Sequence, residues 1–184
     1  MSKARKLSIT QEVKQLKLLK NAQKLGRGSS RMVFIDPRNS AKVVKLAVGA
    51  NAFCQNKLEV GLWNGTESCN LAPISEYGRF LVVMDRVEEA REDEYDLNAE
   101  ECEVYEWLCK YCGDTPDNAQ LGTIDGKVVA YDYGFDAERD SSKQIGCAWT
   151  VSKRANLHQF IDNAIELLRK KRPITEIAHA INAA

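Results

Sequence analysis

The spacing of apolar positions along the chain predicts a mixture of helices and strands. Apolar residues recur at helical intervals over 9–23, and Ser8 and Gln11 have the spacing of a capping box, so a first helix is predicted there. The runs RMVFIDP and AKVVKLA are short and rich in β-branched residues, with turn formers between them. Together they predict a β-hairpin.

A second helix and two further strands are predicted after the hairpin. NAFCQNKLEVGLWN has apolar residues at helical spacing and ends near Gly65. LAPISEYG and RFLVVMDRV predict two more strands. The first half of the chain is therefore predicted to run helix, strand, strand, helix, strand, strand, which indicates an α+β fold.

The second half is predicted to contain one strand and two helices. DTPDNAQLG is typical of a loop, GKVVAYDYG predicts a strand that ends in Asp132, and a C-terminal helix is predicted over 155–171. Another helix is predicted to begin near Asn98, with an inner face made of Cys102, Tyr105, Leu108, Cys109 and Cys112.

Length and composition are typical of a single globular domain. The 184 residues are 44% hydrophobic, and no uninterrupted apolar run approaches the roughly 20 residues of a membrane helix. The segment MSKARKLSITQEVK lacks the apolar core of a secretory signal, so we expect no membrane association and a cytoplasmic location. Of the six cysteines, only Cys109 and Cys112 are closely spaced, which favours buried free thiols over zinc or disulfides.

Net charge is zero, but the charged residues are segregated along the chain. Residues 1–50 hold twelve Lys/Arg and two acids, whereas 85–140 hold eighteen Asp/Glu and five bases. Such asymmetry can steer a partner or place two halves of one fold across a cleft. The acidic stretch 88–106 is interpreted as a solvated linker, with docking of a basic partner or mimicry of nucleic acid as the alternative. We expect no direct nucleic-acid binding.

One set of glycines and polar residues along the chain is a candidate for binding a phosphate group and a metal ion. LGRGSSRMVF contains two glycines before an apolar strand, and a glycine turn of this kind is weak evidence by itself. Twelve residues after Val33, an otherwise apolar strand carries Lys45, and the next helix offers Glu59 as a partner that could hold this lysine toward a phosphate. Asn118 and Asp132 are hard oxygen ligands suited to magnesium that accompanies a nucleotide.

In this order, the motifs resemble those of the protein-kinase-like fold, particularly small viral and prokaryotic members. GRGSSRMV is similar to the glycine-rich loop, VVK to the strand lysine, TPDN to the end of the catalytic loop and YDYG to the Asp-Phe-Gly signature. The resemblance implies one kinase-like domain over 1–184. Residues 1–87 would form an antiparallel β-sheet N-lobe with an N-terminal helix, and 88–184 would form a reduced, mostly helical C-lobe.

The resemblance also implies ATP and Mg²⁺ as ligands and assigns roles to residues. Lys45, oriented by Glu59, would contact the α- and β-phosphates, and Asn118 with Asp132 would hold the metal. The hinge strands would lie in LAPISEYGRFLVVMDRVE. The nucleotide would be bound by Gly26, Gly28, Ser29, Ser30, Val33, Lys45, Met84, Asp85 and Val87.

Departures from the family pattern leave two functions open. Gly113 stands where the catalytic aspartate would be, so the base is Asp114, Asp117 or absent, and Arg31 replaces the third loop glycine. Only 52 residues follow Asp132, which is few for the family's C-lobe. The first hypothesis is transfer of the γ-phosphoryl group of ATP to a protein Ser/Thr hydroxyl. The alternative is a catalytically inactive pseudokinase that binds a host or partner protein.

Overall fold

A computed structural model describes residues 2–28, 31–48, 50–66, 70–89, 99–112, 120–132 and 157–172. Across these ranges, none of the helices is long and apolar enough to cross a membrane. The helices are α1 Ile9–Leu19, α2 Ala50–Gly65, α3 Ala99–Cys112 and α4 Leu157–Arg169. The strands are β1 Arg5–Lys6, β2 Lys24–Arg27, β3 Arg31–Asp36, β4 Asn39–Ala47, β5 Ile74–Tyr77, β6 Leu81–Asp85, β7 Glu88–Glu89, β8 Gln120–Ile124 and β9 Lys127–Asp132.

The strands form two sheets. The larger has six strands in the order β1-β5-β6-β4-β3-β2, and its pairs are antiparallel except for β1 with β5. The smaller has the order β7-β8-β9 and is antiparallel. The N–H of Ala72 donates to the carbonyl of Ala130, and the N–H of Ala130 donates to the carbonyl of Asn70, each at 2.8 Å. These bonds tie β9 to the segment that precedes β5.

The first helix begins at the predicted capping box and ends earlier than predicted. The N–H of Gln11 donates to Ser8 Oγ at 3.3 Å, and the N–H of Ser8 donates to Gln11 Oε1 at 2.9 Å. The helix ends at Leu19 rather than at residue 23. Gln23 already accepts a hydrogen bond from the N–H of Ile35 at 2.9 Å, so the chain there has joined the sheet.

The central strands of the larger sheet are buried on both faces because their side chains alternate between two cores. On one face, Phe34, Val44 and Leu46 pack with α1 and α4, whose inner residues include Leu16 and Ile161. On the other face lies a second core to which α3 and the smaller sheet contribute. The C-terminal helix therefore shares a core with α1.

Helix α2 contributes to both cores. Its first turns place Phe53 in the core shared with α1 and α4, and its later turns place Val60 and Trp63 in the second core. Glu59 lies between these groups and is fully buried. A charged side chain in this position requires a partner of opposite charge.

The predicted inner face of α3 is wrong at two cysteines. Cys102 and Cys109 are exposed, whereas Val104 and Leu108 are buried against the second core. Val104 and Leu108 are four residues apart and form the apolar stripe, which places the cysteines on its flanks. The expectation of buried thiols therefore fails at these two positions. Among the described residues, Cys54, Cys102 and Cys109 form no disulfide, and Cys54 is half-buried.

Strand β8 begins within DTPDNAQLG, the segment predicted to be a loop, and continues beyond it to Ile124. Its hairpin with β9 turns at Asp125 and Gly126, which have φ angles of 52° and 77°. Two successive residues with positive φ are characteristic of the tight type I′ turn, for which Asp-Gly is a preferred pair. The Asp-Gly pair was therefore the overlooked signal for this hairpin.

The contact between β7 and β8 leads to a prediction about stability. A Cβ at Gly122 would lie 2.6 Å from the carbonyl oxygen of Glu88, which is backbone and cannot move without disturbing the strand pair. Gly122→Ala should therefore lower the free energy of unfolding by about 1–3 kcal/mol in urea denaturation.

The matched control is Gly61→Ala. Gly61 is an exposed residue inside α2 where an added Cβ meets nothing within 4 Å. Alanine there should raise the unfolding free energy by about 0.5–1 kcal/mol, since glycine disfavours helix. Equal effects of the two substitutions would show that β7 and β8 are not in close contact.

Candidate functional site

A cleft of about 1120 Å³ lies between the β2–β3–β4 edge of the larger sheet, the segment that follows β6, and the end of β9. Its lining brings together eight of the thirteen predicted site residues, and a ninth, Glu59, contacts Lys45 at its base. The other four, Ser29, Ser30, Asp114 and Asn118, lie outside the described ranges, as does Asp117.

The glycine loop forms one edge of the cleft. It joins β2 to β3, and the N–H of Gly28 donates to the carbonyl of Arg31 at 2.9 Å. A Cβ at Gly26 would meet nothing within 4 Å, and one at Gly28 would meet only the carbonyl oxygen of Arg31 at 3.9 Å. Neither glycine has a positive φ. Contacts among the described residues therefore do not require glycine here, and the backbone is open to close approach by a ligand.

One wall of the cleft is apolar. Val33 faces Lys45 across β3 and β4, and Val43 faces Met84 across β4 and β6, so all four side chains lie on the same face of the sheet. Val87 extends this wall beyond the end of β6. Such a surface suits a flat apolar group such as a nucleobase.

Asp85, another residue predicted to bind the nucleotide, also lines the cleft. Its carboxylate accepts a hydrogen bond from Lys42 Nζ at 2.6 Å. Its backbone N–H donates to the carbonyl of Pro73 at 2.8 Å. Asp85 is therefore engaged by groups of the chain itself at both its side chain and its N–H.

Lys45 occupies the inner end of the cleft and is 4% exposed. Its Nζ lies 2.9 Å from Glu59 Oε1, donates to the carbonyl of Tyr131 and lies 3.8 Å from Asp132 Oδ1. Its strand neighbours Val44 and Leu46 belong to the core on the opposite face. Alternation along β4 thus directs the lysine into the cleft, and α2 supplies its counter-charge.

Arg31 completes a cluster of four charged side chains, in which Arg31, Lys45 and Glu59 are buried and Asp132 is 36% exposed. Its Nη1 donates to Glu59 Oε1 at 2.8 Å, and its Nη2 donates to Asp132 Oδ1. Two cations and two carboxylates thus meet between β3, β4, α2 and the end of β9. This compensation of charge allows ionised groups to remain in a buried setting.

The cluster shifts the acidity of its members. Burial disfavours the charged form of Arg31, but the attraction of the Glu59 and Asp132 carboxylates outweighs this effect. The pKa of Arg31 is therefore raised. Burial likewise opposes ionisation of Asp132, but the charges of Lys45 and Arg31 hold the pKa of this carboxyl below its usual value. Asp132 is therefore ionised at neutral pH.

Of the two predicted magnesium ligands, the described ranges include Asp132 but not Asn118. Within those ranges, three or more His, Cys, Asp or Glu side chains do not come together as a metal site. Asp132 Oδ1, the predicted ligand atom, already contacts the guanidinium of Arg31 and lies 3.8 Å from Lys45 Nζ. A divalent cation at this oxygen would be repelled by two adjacent positive charges.

Arg31 was seen in the sequence only as a departure from the third loop glycine. The signal that would have placed it in the cleft is strand alternation. Arg31 and Val33 are two residues apart on β3, and Val33 pairs with Lys45, so Arg31 lies on the face of the sheet that carries the lysine.

The lowered pKa of Asp132 predicts a pH dependence. A carboxyl whose pKa is lower in the folded protein than in the unfolded chain stabilises the fold at pH values above its unfolded-state pKa, about 3.9. That stabilisation is lost as the pH falls through the pKa of the folded state. Asp132→Asn should therefore be less stable than the wild type at pH 7, and the difference should shrink below about pH 4. Urea denaturation of both proteins at pH 7 and pH 3 measures this, and a difference independent of pH would contradict the ion pairs.

No protein-family model and no curated protein matches the sequence. Among solved structures, the chain is similar to an apo pseudokinase at 12% identity, covering 100% of this chain and 97% of that chain with a TM-score of 0.43. It is also similar to two double mutants of the PknI kinase domain of Mycobacterium tuberculosis. Their identities are 13% and 15%, covering 88% and 85% of this chain and 93% and 74% of those chains, with TM-scores of 0.40 and 0.39.

Proposed function

We propose that this α+β protein has a protein-kinase-like fold and binds ATP in the cleft between the glycine loop and β9. The buried pair of Lys45 and Glu59, with 2.9 Å between Nζ and Oε1, is the observation that carries the proposal. Its lysine comes from a central strand and its glutamate from the helix that follows, as the kinase resemblance implies. A buried lysine held by a carboxylate is a fixed positive charge able to orient phosphates.

The rest of the cleft supports the same ligand. One wall is apolar, the inner end is charged, and the glycine loop lies beside both. The volume of about 1120 Å³ is ample for a ligand the size of a nucleotide. Glu59 and the carbonyl of Tyr131 take two of the three N–H bonds of Lys45, which leaves one donor for an anion.

Of the two functions left open by the sequence, the position of Arg31 favours the pseudokinase. Phosphoryl transfer to a protein Ser/Thr hydroxyl would need Asp132 free for Mg²⁺, yet its Oδ1 accepts from Arg31. The protein would then use the nucleotide to stabilise a surface that binds a partner or host protein. The phosphotransferase remains the second candidate.

A thermal-shift titration with ATP, in magnesium buffer and in EDTA, tests the binding proposal. A ligand that binds only the folded state raises Tm with concentration, and 100 times the Kd corresponds to about 2.7 kcal/mol of added stability. We expect a saturating rise in Tm in at least one of the two buffers. The absence of a shift at millimolar ATP in both buffers would refute the proposal.

Incubation with γ-labelled ATP and magnesium separates the two candidate functions. The pseudokinase hypothesis predicts no transfer of label to the protein itself or to a generic Ser/Thr substrate. If label is transferred, the phosphotransferase is correct and Asp114→Ala tests the base. Loss of transfer in that variant would assign Asp114, whereas unchanged transfer would exclude it.

A further inference from the structure

The guanidinium of Arg31 contacts Asp132, the carboxylate to which the kinase resemblance assigns a metal. Arg31 is 6% exposed and lines the inner end of the cleft. It donates from Nη1 to Glu59 Oε1 at 2.8 Å and from Nη2 to Asp132 Oδ1. A delocalised positive charge is thus fixed against the carboxylate that would otherwise face a cation.

The remaining donors of this group are suited to phosphate. A guanidinium has five N–H bonds in a planar fork, and Glu59 and Asp132 receive one each. Arginine forms strong paired hydrogen bonds with phosphate oxygens and stays charged at any ordinary pH. Lys45 Nζ shares the acceptor Glu59 Oε1 with Arg31, so the two cations sit side by side at the inner end of the cleft.

We infer that Arg31 takes the place of a divalent cation, so that the protein binds a nucleoside triphosphate in its metal-free form. This inference rests on the ATP binding proposed above. The guanidinium balances the charge of Asp132 and presents its other N–H groups to the phosphates, which are the two tasks that a metal performs at such a site.

The first test uses the unchanged protein. Isothermal titration calorimetry with ATP is run in EDTA and again with excess MgCl₂. We expect binding in EDTA with a Kd equal to or lower than that with magnesium. Binding only with magnesium would overturn the inference and leave the ATP proposal intact, whereas no binding in either buffer would overturn both.

The second test changes the arginine. Arg31→Met keeps a long side chain and removes the charge, and we expect it to weaken ATP binding in EDTA by about tenfold or more, with partial recovery on addition of magnesium. The control is Lys24→Met, which removes the same charge from an exposed residue on β2 outside the cleft lining and should leave the Kd unchanged.

Two outcomes for Arg31→Met would overturn the inference. Binding in EDTA as tight as that of the wild type would mean that the guanidinium does not contact the phosphates. Tighter binding would mean that Arg31 obstructs the cleft.

If the variant does not fold, Arg31→Lys retains the positive charge without the fork and should bind ATP in EDTA more weakly than the wild type. Equal affinity for that variant would also contradict the inference.

Discussion

Replacement of Glu59 by glutamine is expected to lower the free energy of unfolding by about 3–5 kcal/mol. Glu59 is fully buried, and its Oε1 accepts from Lys45 Nζ at 2.9 Å and from Arg31 Nη1 at 2.8 Å. The amide keeps the size of the side chain but removes its charge. Asp132 would then be the one carboxylate of the cluster left to balance two buried cations, and an uncompensated buried charge is strongly destabilising.

Urea denaturation at neutral pH measures this effect, and Glu166→Gln is the matched control. Glu166 forms an ion pair with Lys170 on the surface of α4, with 60% of its side chain exposed. Exposed pairs of this kind contribute little, so the control should unfold like the wild type. If Glu59→Gln were as stable as that control, Glu59 would not be the buried counter-charge of the cleft.

Replacement of Lys45 by methionine is expected to weaken ATP binding by about 10- to 100-fold. Lys45 is the cation that a central strand carries into the inner end of the cleft, and hydrogen bonds from a buried charge to phosphate are among the strongest polar contacts. Methionine keeps the length and apolar stem of the side chain. Glu59 retains its contact with Arg31, which should limit the loss of stability.

Isothermal titration calorimetry in the buffer that supports binding measures the change, with Lys24→Met as the control. Lys24 is exposed on β2 and lies outside the cleft lining. Its loss removes the same charge and should alter the Kd less than threefold, since a lysine outside the cleft lining makes no direct contact with the ligand. Equal losses of ATP affinity in the two variants would indicate that binding depends only on the overall charge of the protein and not on a contact with Lys45.

The sequence predicted the elements whose signals are local. The capping box at Ser8 and Gln11, the hairpin of β3 and β4 and helix α2 all follow from spacing and turn chemistry, and the structure confirms them. The end of α1 was wrong because Gln23 is drawn into a pairing with Ile35, a contact that spacing within the helix does not encode. The exposed cysteines of α3 were wrong because two apolar residues set the buried stripe.

One contact of the candidate site could be predicted from the sequence, and another could not. The motif order predicted that Lys45 pairs with Glu59, and Lys45 Nζ lies 2.9 Å from Glu59 Oε1. The guanidinium of Arg31 between Glu59 and Asp132 depends on strand alternation combined with the path of β9, whose hairpin was not predicted. That contact depends on the positions of elements that are far apart in the sequence, and local sequence patterns do not predict those positions.

Hydrogen–deuterium exchange with and without saturating ATP tests most directly whether the cleft binds the nucleotide. ATP binding in the cleft should slow exchange in peptides that cover the β2–β3 hairpin and the segment 84–88, which border the cleft. Peptides from α1 and α4, which pack on the opposite face of the sheet, should show a smaller change or none. Unchanged exchange around the cleft, or protection confined to α1 and α4, would contradict ATP binding at this site.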